Sequence, residues 1–325
     1  MKGPLFKVSI TGATGFVGGA LAAKLVAMVR FEVLALTRQE PVHTLPGVQY
    51  VQLGNLSPDT DWQSGLSGVN VLVHAAARVH VMNDTVVDPL TEFRRVNVDG
   101  TLNLARQAAA AGMRRFVFIS SIKVNGEATD LDQPFTANDE PAPIDPYGIS
   151  KMEAEQGLRE IAAETGMEVV IIRPPLVYGP GVKANFQAMM RWLARGVPLP
   201  LGVINNRRSM VALDNLVDLI VTCIDHPAAA NQTFLVSDGE DLSTTQLLRR
   251  MGRALGKPAR LIPVPSMFLK VGAALLGKPA IAQRLCGSLQ VDTLKTQQLL
   301  GWVPPLSVDE GLKRAAEGYL REASV

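Results

Sequence analysis

Tyr147 and Lys151 lie four residues apart in the segment Y-G-I-S-K, which opens a stretch with helical periodicity. This spacing places both side chains on one face of a helix, one turn apart. A phenol with its ordinary pKa of about 10 is a poor base at neutral pH, and a neighbouring ammonium group would lower that pKa. The pair predicts a tyrosine that acts as a general acid and base. The alternative is a solvated pair on a helix surface.

Ser120 and Ser121 follow the apolar segment F-V-F-I, about one strand–helix unit before Tyr147. In an open α/β sheet the carboxyl ends of the strands face the ligand crevice. A serine hydroxyl at this place could hydrogen-bond a substrate hydroxyl or carbonyl beside the tyrosine. The alternative is a serine that caps a turn or a helix.

Gly12, Gly15 and Gly18 form the pattern GxxGxxG between a predicted strand and a predicted helix. Gly12 allows a tight turn, Gly15 lets the backbone approach a pyrophosphate, and Gly18 lets the helix pack closely on the sheet. The pyrophosphate would lie on the free N–H groups and the positive dipole end of that helix. The pattern predicts a dinucleotide site, although an ordinary turn can show it too.

The end of the second predicted strand, L-T-R, bears on the choice between the two nicotinamide dinucleotides. An NAD site usually presents a carboxylate there to the ribose 2′-OH, whereas the first acid after this strand end is Glu40. Arg38 could pair with a 2′-phosphate instead. The sequence therefore favours NADP(H) and leaves NAD(H) possible. The alternative for Arg38 is a solvated surface arginine.

Apolar segments and stretches with helical periodicity alternate strictly through the first half of the chain. Continuous apolar strands separated by helices indicate a parallel sheet covered on both faces. The sequence therefore predicts an α/β fold with a Rossmann-type doubly wound parallel sheet. The predicted strands are K-V-S-I, E-V-L-A-L-T, V-Q-Y-V-Q-L, V-N-V-L-V-H-A-A, F-V-F-I-S and M-E-V-V-I-I-R-P, and the predicted helices include residues 15–29, 87–112 and 146–165.

The pattern changes after Pro174, where Gly and Pro residues separate helices from irregular segments. We therefore expect a dinucleotide-binding domain with the catalytic residues in 1–174. Residues 175–325 are predicted to form a smaller C-terminal α/β substrate-binding region. Its returning segments could add strands to the first sheet.

Composition excludes several classes of protein. Hydrophobic residues make up 47% of the 325 residues and charged residues 19%, which excludes a disordered chain. Lys and Arg (32) nearly balance Asp and Glu (30), so a basic field that holds nucleic acid is not expected.

Cys223 and Cys286 lack metal-ligand spacing. Val264–Leu276 is too short and too interrupted to span a bilayer, and it predicts an amphipathic helix. We expect a soluble cytoplasmic protein without a signal peptide, a metal or a membrane partner.

Six motifs occur in an order that is specific to one family. They are TGATGFVG, HAAA at His74–Ala77, NVDGT at Asn97–Thr101, SSIKVNG, YGISK and RPPLVYGPG. Together they resemble the extended short-chain dehydrogenases/reductases, the group of nucleotide-sugar epimerases, dehydratases and reductases. The resemblance extends through L-G-W at residues 300–302 and covers nearly the whole chain.

The resemblance implies a role for each matching position. Ser121, Tyr147 and Lys151 would form the catalytic triad, and no metal is implied. The implied dinucleotide site comprises Gly12, Thr14, Gly15, Phe16, Val17, Gly18, Arg38, Asn55, Leu56, Ala75, Ala76, Ala77, Asn97, Ser120, Tyr147, Lys151 and Pro174. The implied UDP-sugar site comprises Ser121, Asn125, Asn185, Phe186, Pro200 and Arg208. For Arg208 the alternative is an ion pair with Asp214 or Asp218. The resemblance also implies a homodimer.

The resemblance leaves the reaction open between two enzymes. Ser121 is followed by Ile122 and Lys123, whereas 4,6-dehydratases carry an Asp-Glu pair that protonates the leaving hydroxyl, which argues against dehydration. The favoured reaction is NADPH-dependent reduction of a UDP-4-keto-6-deoxy-N-acetylhexosamine, because Arg38 favours an exchangeable cofactor. The segment SSIKVNGE also resembles reductases of bacterial O-antigen synthesis. The alternative is a UDP-glucose or UDP-GlcNAc 4-epimerase that retains NAD.

Two further alternatives have less support. A catalytically inactive NAD(P)-sensing protein would share the fold, but the intact triad argues against it. A reductase of flavonoid or steroid substrates would suit Arg38, but it would give Arg208 no diphosphate to bind.

Overall fold

Seven short apolar segments form one parallel sheet, which confirms the predicted Rossmann-type fold. The computed structural model describes residues 6–79, 88–275, 277 and 279–323. Its strands are β1 Phe6–Thr11, β2 Phe31–Thr37, β3 Val48–Gln52, β4 Val71–His74, β5 Arg115–Ile119, β6 Glu168–Arg173, β7 Leu176–Tyr178, β8 Met210–Ala212 and β9 Thr233–Leu235. The main sheet has the order β3-β2-β1-β4-β5-β6-β9, and β7 pairs with β8 in a separate two-stranded sheet. All these pairs are parallel.

Helices cover both faces of the main sheet. They are α1 Phe16–Val26, α2 Gln63–Leu66, α3 Pro89–Phe93, α4 Gly100–Ala110, α5 Pro146–Thr165, α6 Ala184–Ala194, α7 Leu213–Asp225, α8 Thr244–Ala254, α9 Ser266–Leu275, α10 Pro279–Cys286, α11 Leu294–Leu300 and α12 Val308–Ala323. A π-helix, Arg94–Asp99, joins α3 to α4. The predicted helix 87–112 is therefore three consecutive helices, and Val87 lies outside the described residues.

Alternation along the strands builds two separate cores, because successive strand residues point to opposite faces of a sheet. Val8 and Ile10 pack with α1 and α7 on one face. Leu72 and Phe116 pack with α4 and α5 on the other. The strands are buried on both sides, as expected for an all-parallel sheet.

A third core lies in the second half of the chain. It brings α6, α8 and α12 together around Tyr178, Met190 and Leu248. Two elements of this half nevertheless return to the first sheet: β9 pairs with β6, and α7 packs against α1. The boundary at residue 174 stays a prediction.

The order of the strands places a crevice at the carboxyl ends of β1 and β4. The strand order reverses there, because β1 has β2 on one side and β4 on the other. Ligands of open α/β sheets bind at such a switch point. The glycine loop follows β1, and the HAAA segment follows β4.

Several segments outside the sheet bear on membrane, metal and thiol chemistry. The predicted amphipathic helix in Val264–Leu276 is α9, with Leu276 outside the described residues. Among the helices that the structure describes, none is long and apolar enough to cross a bilayer. The described residues also contain no cluster that could hold a metal ion. Both cysteines are free, and burial raises the pKa of Cys223 to about 12, which makes that thiol unreactive.

Candidate active site

Helix α5 presents Tyr147 and Lys151 toward the carboxyl end of β5. Asp145 caps the helix by accepting a hydrogen bond from the Gly148 N–H at 2.7 Å, and Pro146 occupies the first helical position. The Lys151 ammonium donates to the Ile119 carbonyl oxygen at 2.9 Å. Its Nζ lies 5.9 Å from the centre of the Tyr147 ring. The structure therefore brings the two predicted residues together.

Burial dominates the pKa values of this pair. It lowers the pKa of Lys151 to about 7, against an opposing effect of the Glu155 charge. It also raises the pKa of the half-buried Tyr147 above its ordinary value, and the negative charge of Asp145 raises it further. This direction is opposite to the one that the spacing predicts. Without a ligand, the phenol therefore stays protonated.

Ser121 stands at a turn that is tied to the first turn of α5. Its hydroxyl oxygen accepts from the Lys123 N–H at 3.3 Å and caps the short 3-10 helix Ile122–Val124. Lys123 forms an ion pair with Asp145, the residue that caps α5. The neighbouring Ser120 hydroxyl is fully engaged, because it donates to Glu155 Oε1 at 2.6 Å. Of the two serines, Ser121 keeps a hydroxyl hydrogen for a ligand.

Asn97 joins the loop after β4 to the helix of the tyrosine. Its amide oxygen accepts from the Arg78 N–H at 2.8 Å, and its Nδ2 donates to the Arg78 carbonyl and to Ser150 Oγ. Ser150 Oγ in turn donates to the Tyr147 carbonyl at 2.8 Å. Asn97 lies in the π-helix and is almost fully buried. It fixes the position of Tyr147 relative to the loop, whereas its predicted cofactor contact stays a prediction.

His74 is a buried residue that sequence analysis left without a role of its own. Its ring nitrogens lie 2.6 Å from Thr11 Oγ1 and 3.0 Å from Thr101 Oγ1, and the ring stacks on Phe118. Burial, aided by the positive charge of Lys151, lowers its pKa to about 3. His74 is therefore neutral at every working pH and couples β1 to α4 at the floor of the crevice.

The neutral state of His74 predicts a pH dependence of stability. The unfolded histidine binds its proton at about pH 6.5 and the folded one at about pH 3, so stability is complete above pH 6.5 and declines as the pH falls. Between about pH 7.5 and about pH 5.5, His74 should reduce the free energy of unfolding by about 1.4 kcal/mol. Urea unfolding of the wild type and of His74→Gln measures this difference.

The exposed His43 supplies the matched control for that measurement. His43→Gln should retain the full pH dependence of the wild type. Equal slopes for the wild type and His74→Gln would contradict the neutral, buried state of His74.

The glycine loop has the geometry that a dinucleotide needs. A methyl group at Gly12 would lie 2.8 Å from the Ala75 carbonyl carbon and the Ala76 nitrogen, and Gly12 has a φ of +70°. A methyl group at Gly18 would overlap the Gly12 carbonyl oxygen. No side chain caps α1 and no acid lies in its first turn. The first N–H groups are therefore available to a pyrophosphate, so the residues fit a dinucleotide.

The other residues predicted to hold the dinucleotide surround the same crevice. Ala75, Ala76 and Ala77 follow β4, and the Ala75 N–H donates to the Thr11 carbonyl at 3.2 Å. Exposed Arg38 follows β2 and has no ion pair within the described part of the chain. Further members are placed by neighbouring loops: Thr14, Phe16 and Val17 at the start of α1, Asn55 and Leu56 after β3, and Pro174 after β6. Their contacts with a cofactor stay predictions.

A buried network behind Ser121 was not predicted. Arg173, at the end of β6, donates to Glu155 Oε1 at 2.9 Å and to Oε2 at 2.6 Å. It also donates to Asn125 Oδ1, whose amide nitrogen donates to the Thr136 carbonyl. The side chain of Asn125 thus satisfies its hydrogen bonds inside the protein. The sequence shows only an arginine at the end of an apolar strand. This pattern does not tell whether the arginine forms a buried ion pair or lies on the surface.

The residues predicted to bind substrate lie in different surroundings. Phe186 is buried in the third core, where it stacks on Tyr178 at 5.3 Å, so its side chain packs against protein. Asn185 and Pro200 are exposed. Arg208 donates to the carbonyl oxygens of Arg284 and Gly287.

The predicted alternative for Arg208, an acidic partner, is absent from the described residues. Asp214 pairs with Arg314, and Asp218 accepts from the Trp302 indole N–H. Burial and the charge of Arg284 lower the pKa of Arg208. The guanidinium is a half-buried cation without a counter-charge.

Comparison with known proteins identifies the family. Residues 8–237 match the NAD dependent epimerase/dehydratase family. The chain belongs to this family. The match includes the glycine loop, Ser121, Tyr147, Lys151 and Arg208.

Individual members of this family align with almost the whole chain. A UDP-glucose 4-epimerase of Vibrio cholerae is 50% identical over 315 residues, which are 97% of this chain and 95% of that protein. An N-acetyl-alpha-D-glucosaminyl-diphospho-ditrans,octacis-undecaprenol 4-epimerase of Escherichia coli O157:H7 is 28% identical over 332 residues, 95% of this chain and 94% of its own. The solved structure of UDP-glucuronic acid 4-epimerase from Bacillus cereus in complex with NAD aligns with a TM-score of 0.78 at 18% identity, over 98% of both chains.

Proposed function

We propose that this enzyme is a UDP-sugar 4-epimerase, which oxidises C4 of a UDP-linked hexose and reduces it again from the other face. The observation that carries the proposal is the 50% identity to a UDP-glucose 4-epimerase over 97% of the chain. The reductase that sequence analysis favours has no such support among these relatives. Both reactions need the same three side chains.

The geometry of Tyr147, Ser121 and Lys151 suits this chemistry. A bound nicotinamide dinucleotide would supply the hydride acceptor and donor at C4. Once deprotonated beside the Lys151 ammonium, the Tyr147 oxygen would take the proton of the C4 hydroxyl as the carbonyl forms and return it when the carbonyl is reduced. The Ser121 hydroxyl would donate to the same substrate oxygen. Lys151, with a pKa of about 7, would stabilise the Tyr147 phenolate whenever the Lys151 amine is protonated.

Arg208 supports a diphosphate-linked substrate. Its guanidinium is half-buried, lies near Arg284 and has no carboxylate partner within the described residues. A guanidinium matches a diphosphate because its donors engage two oxygens at once. The Vibrio cholerae and Escherichia coli 4-epimerases act on hexoses that are linked to a diphosphate, as their names state.

Product analysis with three substrates tests the proposal. UDP-glucose, UDP-GlcNAc and a UDP-4-keto-6-deoxy-N-acetylhexosamine are each incubated with and without NADPH, and the sugars are separated by chromatography and weighed by mass spectrometry. A 4-epimerase converts one of the first two into an isomer of equal mass without net use of NADPH. A gain of two hydrogens on the keto-sugar, only with NADPH, would replace the epimerase by the reductase. The homodimer that the resemblance implies and the cytoplasmic location expected from composition are proposals of the same kind.

Arg38 favours NADP(H) and is the observation that keeps the reductase as a second candidate. If Arg38 pairs with the 2′-phosphate, Arg38→Ser should raise the dissociation constant for NADPH about tenfold or more and leave that for NADH unchanged. Fluorescence titration of the two cofactors measures both constants. Arg249→Ser removes an equally exposed arginine outside the crevice and should change neither. An unchanged NADPH constant in Arg38→Ser would place Arg38 in solvent.

A further inference from the structure

Two stretches of this chain contain basic residues and no acidic ones. Residues 169–213 and 242–291 hold none of the 30 Asp and Glu residues, yet they include six and eight Lys or Arg residues. The structure joins the two stretches, because the Leu199 N–H donates to the Arg260 carbonyl and the Gly202 N–H donates to the Ile262 carbonyl, both at 2.9 Å. A chain with a net charge of only +2 therefore concentrates positive charge in one region.

Most basic side chains of this region have no acidic partner within the described residues, although Arg173 and Arg207 do. Six such side chains are exposed and form no ion pair within the described residues: Arg191, Arg195, Arg253, Lys257, Arg260 and Lys270. Lys183, Arg249 and Arg284 share both properties. Arg250 differs, because it pairs with Glu240 and Asp309. Unpaired cations in one region attract anionic surfaces, and the attraction is screened by salt.

Helix α9 lies in the second of these basic stretches, carries Lys270 and has an apolar face. Met267, Val271 and Leu275 follow one another at intervals of four residues and so share one side of the helix, with Phe268 beside them. Met267, Phe268 and Leu275 are 66%, 62% and 84% exposed. The opposite side carries Leu269, which packs against the third core. The helix is thus attached by one face and shows the other, apolar face to solvent.

Two further exposed apolar residues lie in the same basic stretches. Ile262 and Val203 are both about half exposed, and a methyl group at Gly202 would lie 2.9 Å from the Ile262 carbonyl carbon, so these residues are adjacent. We call the apolar face of α9, Val203, Ile262 and the six unpaired cations the basic apolar surface. Contiguous exposed apolar residues of this kind mark an interaction site.

We propose that the basic apolar surface docks on an anionic lipid bilayer. A helix that combines large apolar side chains with basic neighbours lies in the membrane interface, with its apolar side among the acyl chains. The ten residues of α9 extend about 15 Å, which is enough to lie on a membrane and too little to span one. Anionic headgroups complement the cations.

Charge argues against the other partners. A second copy of this chain, paired face to face through the same surface, would oppose cations with cations. Nucleic acid would use the cations but leave the apolar face in water. The remaining alternative is an acidic protein partner. In that case the chain should stay in solution when it is mixed with lipid vesicles.

Co-sedimentation with vesicles tests the proposal on the full chain. The wild type should pellet with vesicles of phosphatidylcholine and phosphatidylglycerol, should stay in solution with phosphatidylcholine alone, and should be released by high salt. Phe268→Glu/Leu275→Glu should lower the partition coefficient on anionic vesicles about tenfold or more. Arg253→Glu/Lys257→Glu should lower it by a similar factor.

A matched variant separates this surface from exposed apolar residues in general. Val29 and Val42 are strongly exposed and lie outside the basic apolar surface, so Val29→Glu/Val42→Glu should bind like the wild type. Circular dichroism checks that each variant is folded. Failure of the folded wild type to bind anionic vesicles overturns the proposal, as does equal binding by the wild type and both surface variants. Neither result bears on the proposed reaction, since the assay contains no substrate.

Discussion

A Tyr147→Phe variant should bind its dinucleotide as tightly as the wild type and turn over substrate about 10²- to 10⁴-fold more slowly. The phenol oxygen is the proposed proton carrier, and it has no hydrogen-bond partner among the described residues. Its ring packs edge-on against Phe93 with the centres 6.1 Å apart, a contact that phenylalanine keeps. The loss should therefore appear in kcat while the fold and the cofactor site stay intact. Fluorescence titration and the isomerisation assay measure the two quantities.

Tyr50→Phe is the matched control, because it removes the same atom from a tyrosine on β3. The Tyr50 hydroxyl accepts a hydrogen bond from the Leu45 N–H at 3.0 Å, and its loss should leave kcat unchanged. If Tyr147→Phe retains wild-type turnover, another group carries the proton and the assignment of the triad is wrong. If it loses cofactor binding as well, Tyr147 holds the dinucleotide and its role in proton transfer is not isolated by this variant.

Local pattern was sufficient to predict most of the sheet and the residues at its carboxyl edge. The strands are apolar on both faces, which leaves little choice of fold, and GxxGxxG after the first strand fixes where the crevice lies. The interval between Tyr147 and Lys151 likewise decides that their side chains share a helix face. These features depend on residues that are close in sequence.

Other features depend on burial, which the pattern does not contain. Spacing predicts that Lys151 acidifies Tyr147, whereas desolvation raises the pKa of the phenol and lowers that of the ammonium. The sequence around Phe186 is compatible with a pocket residue and with a core residue. In the structure Phe186 stacks on Tyr178, which places it in the third core. Periodicity predicts α9 as amphipathic but not that its apolar face would remain in solvent.

The buried ion pair Glu155–Arg173 could not be predicted from the sequence pattern either. Breaking this pair should have a large effect on the free energy of unfolding. Glu155 on α5 is fully buried and Arg173 on β6 is 2% exposed, and they share two hydrogen bonds. Glu155→Gln would leave the guanidinium buried without its counter-charge. Removal of one partner from such a pair costs about 3–5 kcal/mol, so the free energy of unfolding should fall by that amount in urea titrations.

Glu153→Gln provides the same substitution two residues away on the same helix. Glu153 pairs with Arg94 at 2.6 Å, but both side chains remain partly exposed, and an exposed pair contributes about 0–1 kcal/mol. The double variant Glu155→Gln/Arg173→Met removes both buried charges and should recover part of the loss. Equal destabilisation by Glu153→Gln and Glu155→Gln would mean that Arg173 is solvated. A large loss confined to Glu155→Gln would establish that this pair joins α5, with Tyr147, to the strand end beside Ser121, since Glu155 also accepts from Ser120.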